Sequence, residues 1–229
     1  MIKTSDEKYL RAIYQVSTSE KIDKTTISEL AYYLDLKPPT VLERLKILKA
    51  EKLITYTKTN GIALTKTGYK EALNVIRKHR VWETFLVKVC KFGWNEVHEL
   101  AEQLQNINSE KLIDRIFTLS GEPKFDPHGD PIPDKAGVLP TSQRRPLLNS
   151  VSGCKCLVLG VNEDSAEFLN YLTELKIGLN DKLYVEKIFS FDGSVKIKYK
   201  NTYSAVLSSK VAEQILITCT KAGCGCKNK

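Results

Sequence analysis

The amino-acid sequence predicts an α+β protein with a helical first half and a strand-rich last third. Up to about residue 120, apolar residues recur every three to four positions, which is the period of amphipathic helices. From 151 to 219, short runs such as KLYVEKI and SVKIKY instead alternate apolar and polar residues, as half-buried strands do. A stretch rich in Pro, Gly and Asp over 121–149 separates the two patterns, and no helix can run through so many prolines.

The composition is that of an ordinary globular chain, with 42% hydrophobic and 27% charged residues. No apolar run approaches the roughly eighteen residues of a membrane span. The opening residues, MIKTSDEKYL, lack the basic-then-apolar layout of a signal peptide. We therefore expect a cytoplasmic protein, and the absence of phosphate-loop, dinucleotide-binding and nucleophile–base motifs predicts a binding function, not an enzyme.

The N-terminal region predicts three helices followed by a β-hairpin. The predicted elements are helices over 5–18, 25–36 and 38–50 and a hairpin over 52–68. Thr26 and Glu29 form a capping box at the start of the second helix, and Asn60-Gly61 is a hairpin turn signal. This order is that of a winged helix-turn-helix, a DNA-binding module, which we place at 1–72.

The distribution of charge favours a polyanionic partner. The chain has a formal net charge of +8, and residues 37–70 contain eight Lys or Arg against two acids. This basic segment coincides with the third helix and the hairpin, the parts that such a module presents to DNA. A basic surface on an unrelated helical domain is the alternative.

Individual DNA contacts can be assigned by position on the third helix and the wing. The predicted DNA-binding residues are Lys37, Pro39, Thr40, Leu42, Glu43, Arg44, Lys46 and Lys58. Lys46 and Lys58 are expected to contact phosphates, which supplies affinity without sequence choice. Leu42 could touch a thymine methyl group, and Glu43 could accept a hydrogen bond from a cytosine amino group.

The rest of the chain predicts a helical domain and a small β-barrel. Residues 73–140 include amphipathic helices whose apolar faces are wide enough for a dimer interface. A linker is predicted over 141–150. Five short strands and one helix over 151–219 are typical of a small SH3-like barrel, and 220–229 form a tail rich in Cys and Lys.

Several motifs together resemble the diphtheria toxin repressor family, including its manganese-responsive branch. They are YLRAIY (9–14), RKHRVWETFL (77–86), the helix that contains His98, and PKFDPHGDPIPD (123–134). The resemblance covers nearly the whole chain. It implies a metal-dependent repressor of iron or manganese homeostasis, a homodimer on a palindromic operator in double-stranded DNA, with a helical dimerisation domain and a C-terminal domain of FeoA type. It also implies Fe²⁺ or Mn²⁺ as the cellular metal, with Zn²⁺, Co²⁺ or Ni²⁺ possible in vitro.

The resemblance further implies an ancillary metal site. His79, Glu83 and His98 match its ligands, and by position Asp164 and Glu167 of the SH3-like domain would complete it. Taken alone, a His and a Glu four residues apart would also fit an ordinary polar contact on a helix.

The family's primary metal site is altered in this sequence. Lys8 and Arg11 stand where ligands are expected, and Gln105 and Asn106 replace a Glu and a His, which leaves Glu102 as a strong ligand. Because charged amines and guanidines cannot ligate a metal, we hypothesise that Lys8, alone or with Arg11, replaces the ion by a salt bridge to Glu102. The regulator would then need no primary metal. Alternatively, both cations point into water, or the protein binds metal but has lost operator recognition.

Five of the six cysteines lie after residue 150. They are Cys154, Cys156, Cys219, Cys224 and Cys226. If the first and last strands of the barrel are neighbours, these thiols could converge on a soft ion, Zn²⁺ or Cu⁺, or form a redox bridge. Reduced thiols without a shared role are the alternative. Cys90, on an apolar helix face, is predicted to be a buried core residue.

Overall fold

The computed structural model describes residues 4–19, 24–57 and 59–220 and confirms the predicted fold class. The helices are α1 (Thr4–Ser19), α2 (Ile27–Leu34), α3 (Pro38–Ala50), α4 (Lys66–Lys88), α5 (Val97–Leu104), α6 (Glu110–Leu119), α7 (Ala166–Glu174) and α8 (Ser209–Gln214). The strands are β1 (Ile54–Thr57), β2 (Gly61–Leu64), β3 (Arg145–Pro146), β4 (Lys155–Val161), β5 (Lys182–Ile188), β6 (Val195–Tyr199), β7 (Tyr203–Leu207) and β8 (Ile215–Cys219). Within the described ranges, no helix combines the length and apolar character needed to cross a bilayer.

The first compact unit contains the predicted winged helix-turn-helix. It comprises residues 1–79, 104–109 and 133–139. The apolar faces of α1, α2 and α3 meet in a core in which Leu10, Leu30 and Leu45 are fully buried. Strands β1 and β2 pair antiparallel as the predicted hairpin. Helix α2 is shorter than expected because Asp35 adopts a left-handed conformation with φ of 52° and ends it.

Helix α4, which runs from Lys66 to Lys88, begins directly after the β-hairpin. Thr65 accepts a hydrogen bond from the backbone N–H of Gly68 at 3.1 Å and so fixes the first turn directly after β2. The helix runs through the predicted domain boundary at residue 72 and ends at Lys88. Cys90 therefore lies beyond the helix and is exposed, so the prediction of a buried core cysteine is wrong.

The second compact unit contains α5, α6 and the predicted C-terminal barrel. It comprises residues 80–103, 110–132 and 140–229. The barrel is a six-stranded antiparallel sheet in the order β3-β8-β4-β5-β6-β7, with α7 and α8 packed on its core. Its first and last long strands, β4 and β8, are hydrogen-bonded neighbours.

Part of the predicted linker belongs to this barrel. Arg145 and Pro146 form β3, which pairs with β8. Leu147 follows in a single turn of 3-10 helix over Leu147–Asn149 and is fully buried in the barrel core. Residues 145–149 of the predicted linker thus form a strand and a helical turn, and Leu147 packs in the apolar core of the barrel.

Candidate metal centre and DNA-binding surface

A buried carboxylate on α4, that of Glu83, lies between two imidazoles. Its side chain is 3% exposed. One oxygen, Oε1, is 3.3 Å from Nδ1 of His98 on α5. The other oxygen, Oε2, is 3.7 Å from Nδ1 of His128, in the loop after α6. A single carboxylate thus has one imidazole facing each of its oxygens.

Two groups of metal-ligating side chains share Glu83. The first is His79, Glu83 and His98, in which His79 precedes Glu83 by one turn of the continuous helix α4. The second is Glu83, Asp126 and His128, all of them buried. Within each group, the ligand atoms lie within 4.8 Å of one another. Imidazole and carboxylate donors together suit divalent first-row transition ions.

The loop that contains Asp126 and His128 is held in place by hydrogen bonds and ion pairs. Asp126 accepts hydrogen bonds from the backbone N–H groups of His128 at 2.8 Å and Asp130 at 2.9 Å. Arg80 of α4 pairs with Asp130 at 2.9 Å. The backbone N–H of Val161, in β4, donates to the carbonyl of His128 at 2.9 Å. These contacts fix the loop against α4 and the barrel.

Asp126 and His128 are ligand candidates that the sequence alone did not indicate. They belong to the family motif DPHGDPIP, whose position in a loop does not show which residues lie beside it. An Asp and a His two residues apart in a Pro- and Gly-rich loop were the available signal. Their common neighbour, Glu83, lies more than forty residues earlier in the chain, so the sequence alone did not connect them.

Electrostatics favour a proton at this centre when no metal is bound. Burial opposes a charged imidazole, but the interactions with Glu83 and Asp126 outweigh it and raise the pKa of His128 to about 10. Burial, with the negative charges of Asp130 and Glu83, raises the pKa of Asp126 to about 7. Because His128 Nε2 donates to the carbonyl of Trp94 at 2.7 Å, a metal at Nδ1 would have to replace the other proton.

The two predicted ligands from the barrel do not join these groups. Asp164 and Glu167 are both exposed, at the end of the loop before α7 and in its first turn. Among the described residues, neither belongs to a group of three or more ligand side chains with atoms within 4.8 Å. Their assignment as ligands stays a prediction.

Of the residues predicted to form an altered primary site, Arg11 is buried and Lys8 is exposed. Arg11 Nη1 lies 2.8 Å from His79 Nδ1 and donates to Gln105 Oε1 at 3.2 Å. His79 Nδ1 is also 3.1 Å from Gln105 Oε1. Of the two cations predicted to replace the metal, it is therefore Arg11 that enters a buried polar cluster with α4 and the turn after α5.

The predicted DNA-binding surface is largely solvent-exposed. Lys37, Pro39, Thr40, Glu43 and Lys46 are exposed, and Leu42 and Arg44 are half-buried. Glu43 and Lys46 pair with each other at 2.7 Å. Arg44 forms an ion pair at 2.6 Å with Asp6 of α1, so its guanidinium also ties two helices together. Lys58 lies outside the described residues.

The structure brings three of the predicted cysteines to one place in the barrel. Cys154 precedes β4 and its Sγ is 3.2 Å from Sγ of Cys219, the last residue of β8. Cys156 lies directly opposite Cys219 in the β4–β8 register. Cys224 and Cys226 lie outside the described residues.

Three family models match successive parts of the chain. The iron dependent repressor N-terminal DNA binding domain matches residues 1–62. The iron dependent repressor metal binding and dimerisation domain matches 65–134. The FeoA domain matches 145–219. Together they cover most of the sequence in the order that the winged helix, the α4–α6 region and the barrel occupy.

Curated relatives and solved structures agree with these matches. The iron-dependent repressor IdeR of Mycobacterium tuberculosis is 33% identical over 128 residues, 56% of this chain and 54% of IdeR. The diphtheria toxin repressor of Corynebacterium diphtheriae is 29% identical over 135 residues, 58% of each chain. The chain thus spans somewhat over half the length of the curated relatives it matches.

Among solved structures, a manganese-dependent transcriptional repressor in complex with manganese aligns with a TM-score of 0.82 and 30% identity, covering 93% of this chain and 99% of that one. The repressor ScaR with bound Zn²⁺ aligns with a TM-score of 0.75 and 29% identity, covering 93% of this chain and 98% of that one. Both alignments cover more than nine-tenths of this chain. The chain belongs to the iron-dependent repressor family, whose members are metal-dependent transcriptional repressors and not enzymes.

Proposed function

We propose that this protein is a metal-responsive transcriptional repressor that binds a palindromic operator as a homodimer. The observation that carries the proposal is the buried carboxylate of Glu83 with an imidazole at each oxygen, in a chain that also presents an exposed basic helix. Dimerisation and operator symmetry follow the family. The similar structures reported above include a repressor in complex with manganese and ScaR with bound Zn²⁺, and we propose Mn²⁺ or Fe²⁺ as the cellular ion.

The metal would be held by Glu83 with imidazoles on one or both sides. His79 and His98 form the set predicted from sequence, and Asp126 and His128 add a second carboxylate and imidazole. The residues fit a divalent ion because the negative charge of the buried carboxylates, Glu83 and Asp126, favours a proton on His128. A bound dication would supply that positive charge instead.

The second candidate is a regulator whose altered primary site needs no metal. Arg11, His79 and Gln105 are all buried and are joined by hydrogen bonds. This cluster links α1 of the winged helix to α4 by a guanidinium, where relatives are expected to use an ion. We therefore assign the metal-replacing role to Arg11 in preference to Lys8, which is exposed.

Binding to DNA from the protein's own promoter region separates these possibilities. Fluorescence anisotropy should be measured in excess chelator and then with Mn²⁺ or Fe²⁺ added. A metal-responsive repressor should bind at least about fivefold more tightly with metal, which corresponds to a coupling free energy of about 1 kcal/mol or more. Equal affinity in both conditions supports the metal-independent regulator. Failure to bind in either condition contradicts both and supports a metal-binding protein without operator recognition.

A matched pair of variants tests the site itself. Glu83→Gln removes the shared carboxylate charge, and Glu99→Gln makes the same change at an exposed position of α5. We expect metal-dependent DNA binding to be lost in Glu83→Gln and kept in Glu99→Gln. Light scattering on the same samples gives the number of chains in the DNA-binding species, which should be two per operator.

A further inference from the structure

The barrel contains a second place where ligand atoms converge, far in sequence from Glu83. Cys156 of β4 and Cys219 of β8 are directly opposite each other in an antiparallel pair, so their side chains lie on the same face of the sheet. Cys154, two residues before Cys156, also reaches this face. Its Sγ contacts that of Cys219 at 3.2 Å.

These thiols are positioned by well-packed elements and sheltered from water. Cys154 is 4% exposed and Cys156 1% exposed, and both belong to the apolar core of the barrel. Cys219, at the end of β8, is only partly covered. The backbone around the pair is held by the β4–β8 ladder and by a hydrogen bond from Cys154 N–H to Val151 O at 3.1 Å.

The donor set selects a soft ion. Thiolate sulfur favours Cu⁺, Zn²⁺ and iron–sulfur clusters over Mn²⁺ or Fe²⁺. A structural Zn²⁺ site uses four protein ligands in a tetrahedron, whereas this group supplies two sulfurs in contact and a third opposite. Monovalent copper binds stably to two or three thiolates. The geometry therefore matches Cu⁺ better than Zn²⁺.

We propose that Cys154 and Cys219 form a thiolate site for Cu⁺, distinct from the centre at Glu83. Cys156 is its third ligand after rotation about the Cα–Cβ bond, since its Sγ now points toward Leu183 O at 3.6 Å. Binding displaces the thiol protons to solvent, and each new Cu–S bond replaces one S–H bond. Copper stays monovalent and no electron is transferred. The ion would cross-link the first and last long strands of the barrel.

The test is a competition for Cu⁺ between the full chain and a coloured Cu⁺ chelator such as bicinchoninate, under anaerobic conditions. The wild type should withdraw one equivalent and show sulfur-to-copper absorption in the near ultraviolet. Cys154→Ala/Cys219→Ala should withdraw at least about tenfold less, as loss of ligands predicts. Cys90→Ser, which changes an exposed cysteine outside the barrel, should behave as the wild type.

A second variant and a second binding measurement control for misfolding. If the double variant fails to fold, Cys219→Ser alone, at the partly exposed end of β8, replaces it. Mn²⁺ binding by each variant serves as the check that the Glu83 centre is intact. A variant that keeps Mn²⁺ binding and loses Cu⁺ binding supports two separate sites.

Three results would overturn the proposal. The first is a wild type that cannot withdraw copper from the chelator. The second is a Cys224→Ser/Cys226→Ser variant that loses the ion while both barrel thiols remain, because the tail would then be the site. The third is protein isolated from cells with a Cys154–Cys219 disulfide, seen as a mass 2 Da lower that reductant restores, because the pair would then serve a redox purpose.

Discussion

The guanidinium of Arg11 lies 2.8 Å from Nδ1 of His79 and occupies a nitrogen lone pair of a candidate metal ligand. Since a guanidinium can only donate, Nδ1 accepts this bond, and a neutral His79 then keeps its proton on Nε2. Ligation through Nε2 requires that proton to move to Nδ1, from which it can be donated to Gln105 at 3.1 Å. The Arg11 contact and a metal bond from His79 therefore belong to different states of the site.

Arg11→Met should weaken metal-free DNA binding. The change keeps much of the side-chain length but removes both the charge and the hydrogen bonds that join α1 to α4. We expect a loss of about 1–3 kcal/mol in the stability of that contact, measured as a reduced affinity for promoter DNA in chelator. Lys8→Met, on the exposed face of the same helix, is the control. An unchanged affinity in the Arg11 variant would exclude it as a substitute for metal.

The stability of the metal-free protein should fall as the pH rises from about 4 to about 10. The pKa of Asp126 is raised from 3.8 to about 7. Its contribution to folding stability is therefore complete below pH 3.8, the pKa in the unfolded chain, and is lost as the pH rises through 7. His128 has a pKa raised from 6.5 to about 10, and its contribution is lost in turn between those values. Thermal unfolding in chelator across this range measures the slope.

The Asp126→Asn variant isolates one part of that pH dependence. It should flatten the curve between about pH 4 and 7, whereas Asp164→Asn, at an exposed carboxylate, should leave it unchanged. A curve for Asp126→Asn that keeps the wild-type slope below pH 7 would mean that the buried carboxyl does not titrate in this range.

Metal binding at the Glu83 centre should release protons and tighten with rising pH. His128 is protonated at neutral pH because of its raised pKa, and a metal at Nδ1 must displace that proton. Calorimetric titration with Mn²⁺ in buffers of different ionisation enthalpy counts the protons released. We expect close to one per ion at pH 7 from His128. A His128→Gln variant with unchanged proton release would remove this residue from the ligand set.

Arg44→Ala should destabilise the winged helix more than loss of the neighbouring surface pair. Asp6 is fully buried and would lose the cation that lies 2.6 Å away, at a cost of about 3–5 kcal/mol. Lys46→Ala breaks a solvent-exposed pair with Glu43 and should cost at most about 1 kcal/mol. Urea unfolding of the two variants gives the comparison. Equal effects would show that the Asp6 pair has no special structural importance.

The winged helix could be predicted from sequence because its signals are local. The capping box at Thr26, the prolines at the start of α3 and the Asn60-Gly61 turn each fix an element within a few residues. By contrast, α8 is six residues long and β3 only two. Elements of this length carry no periodic signal and form because the barrel around them supplies the partners.

The candidate site was harder to predict because its contacts join distant positions. The family resemblance predicted His79 and Glu83, which helical spacing places one turn apart, but Arg11 contacts Gln105 across 94 positions of the chain. The assignment of Lys8 as the main replacement for the metal rested on family position and gave no information on burial. Only the folded chain distinguishes Arg11, which faces inward on α1, from Lys8, which is exposed.

Gly160→Ala should destabilise the second unit although the residue has no chemical role. A Cβ at this position would lie 2.7 Å from the carbonyl oxygen of His128, a backbone atom that cannot rotate away. We expect a loss of about 1–3 kcal/mol from overpacking, with weaker Mn²⁺ binding. Gly178→Ala, where an added Cβ would have no atom within 4 Å, is the control. Unfolding midpoints that match between the two variants would contradict this expectation.

The contact between Gly129 and Gly160 also bears on how interchangeable the domains of such repressors are. An added Cβ on Gly129 would lie 2.4 Å from the Cα of Gly160. The loop that contains His128 and strand β4 of the barrel are therefore in direct backbone contact. A chimera that receives its barrel from a relative would need glycine at the position of Gly160 to pack against Gly129, whatever metal ligands it carries. At this contact, a single added methyl group would keep a barrel from another repressor from packing against the loop.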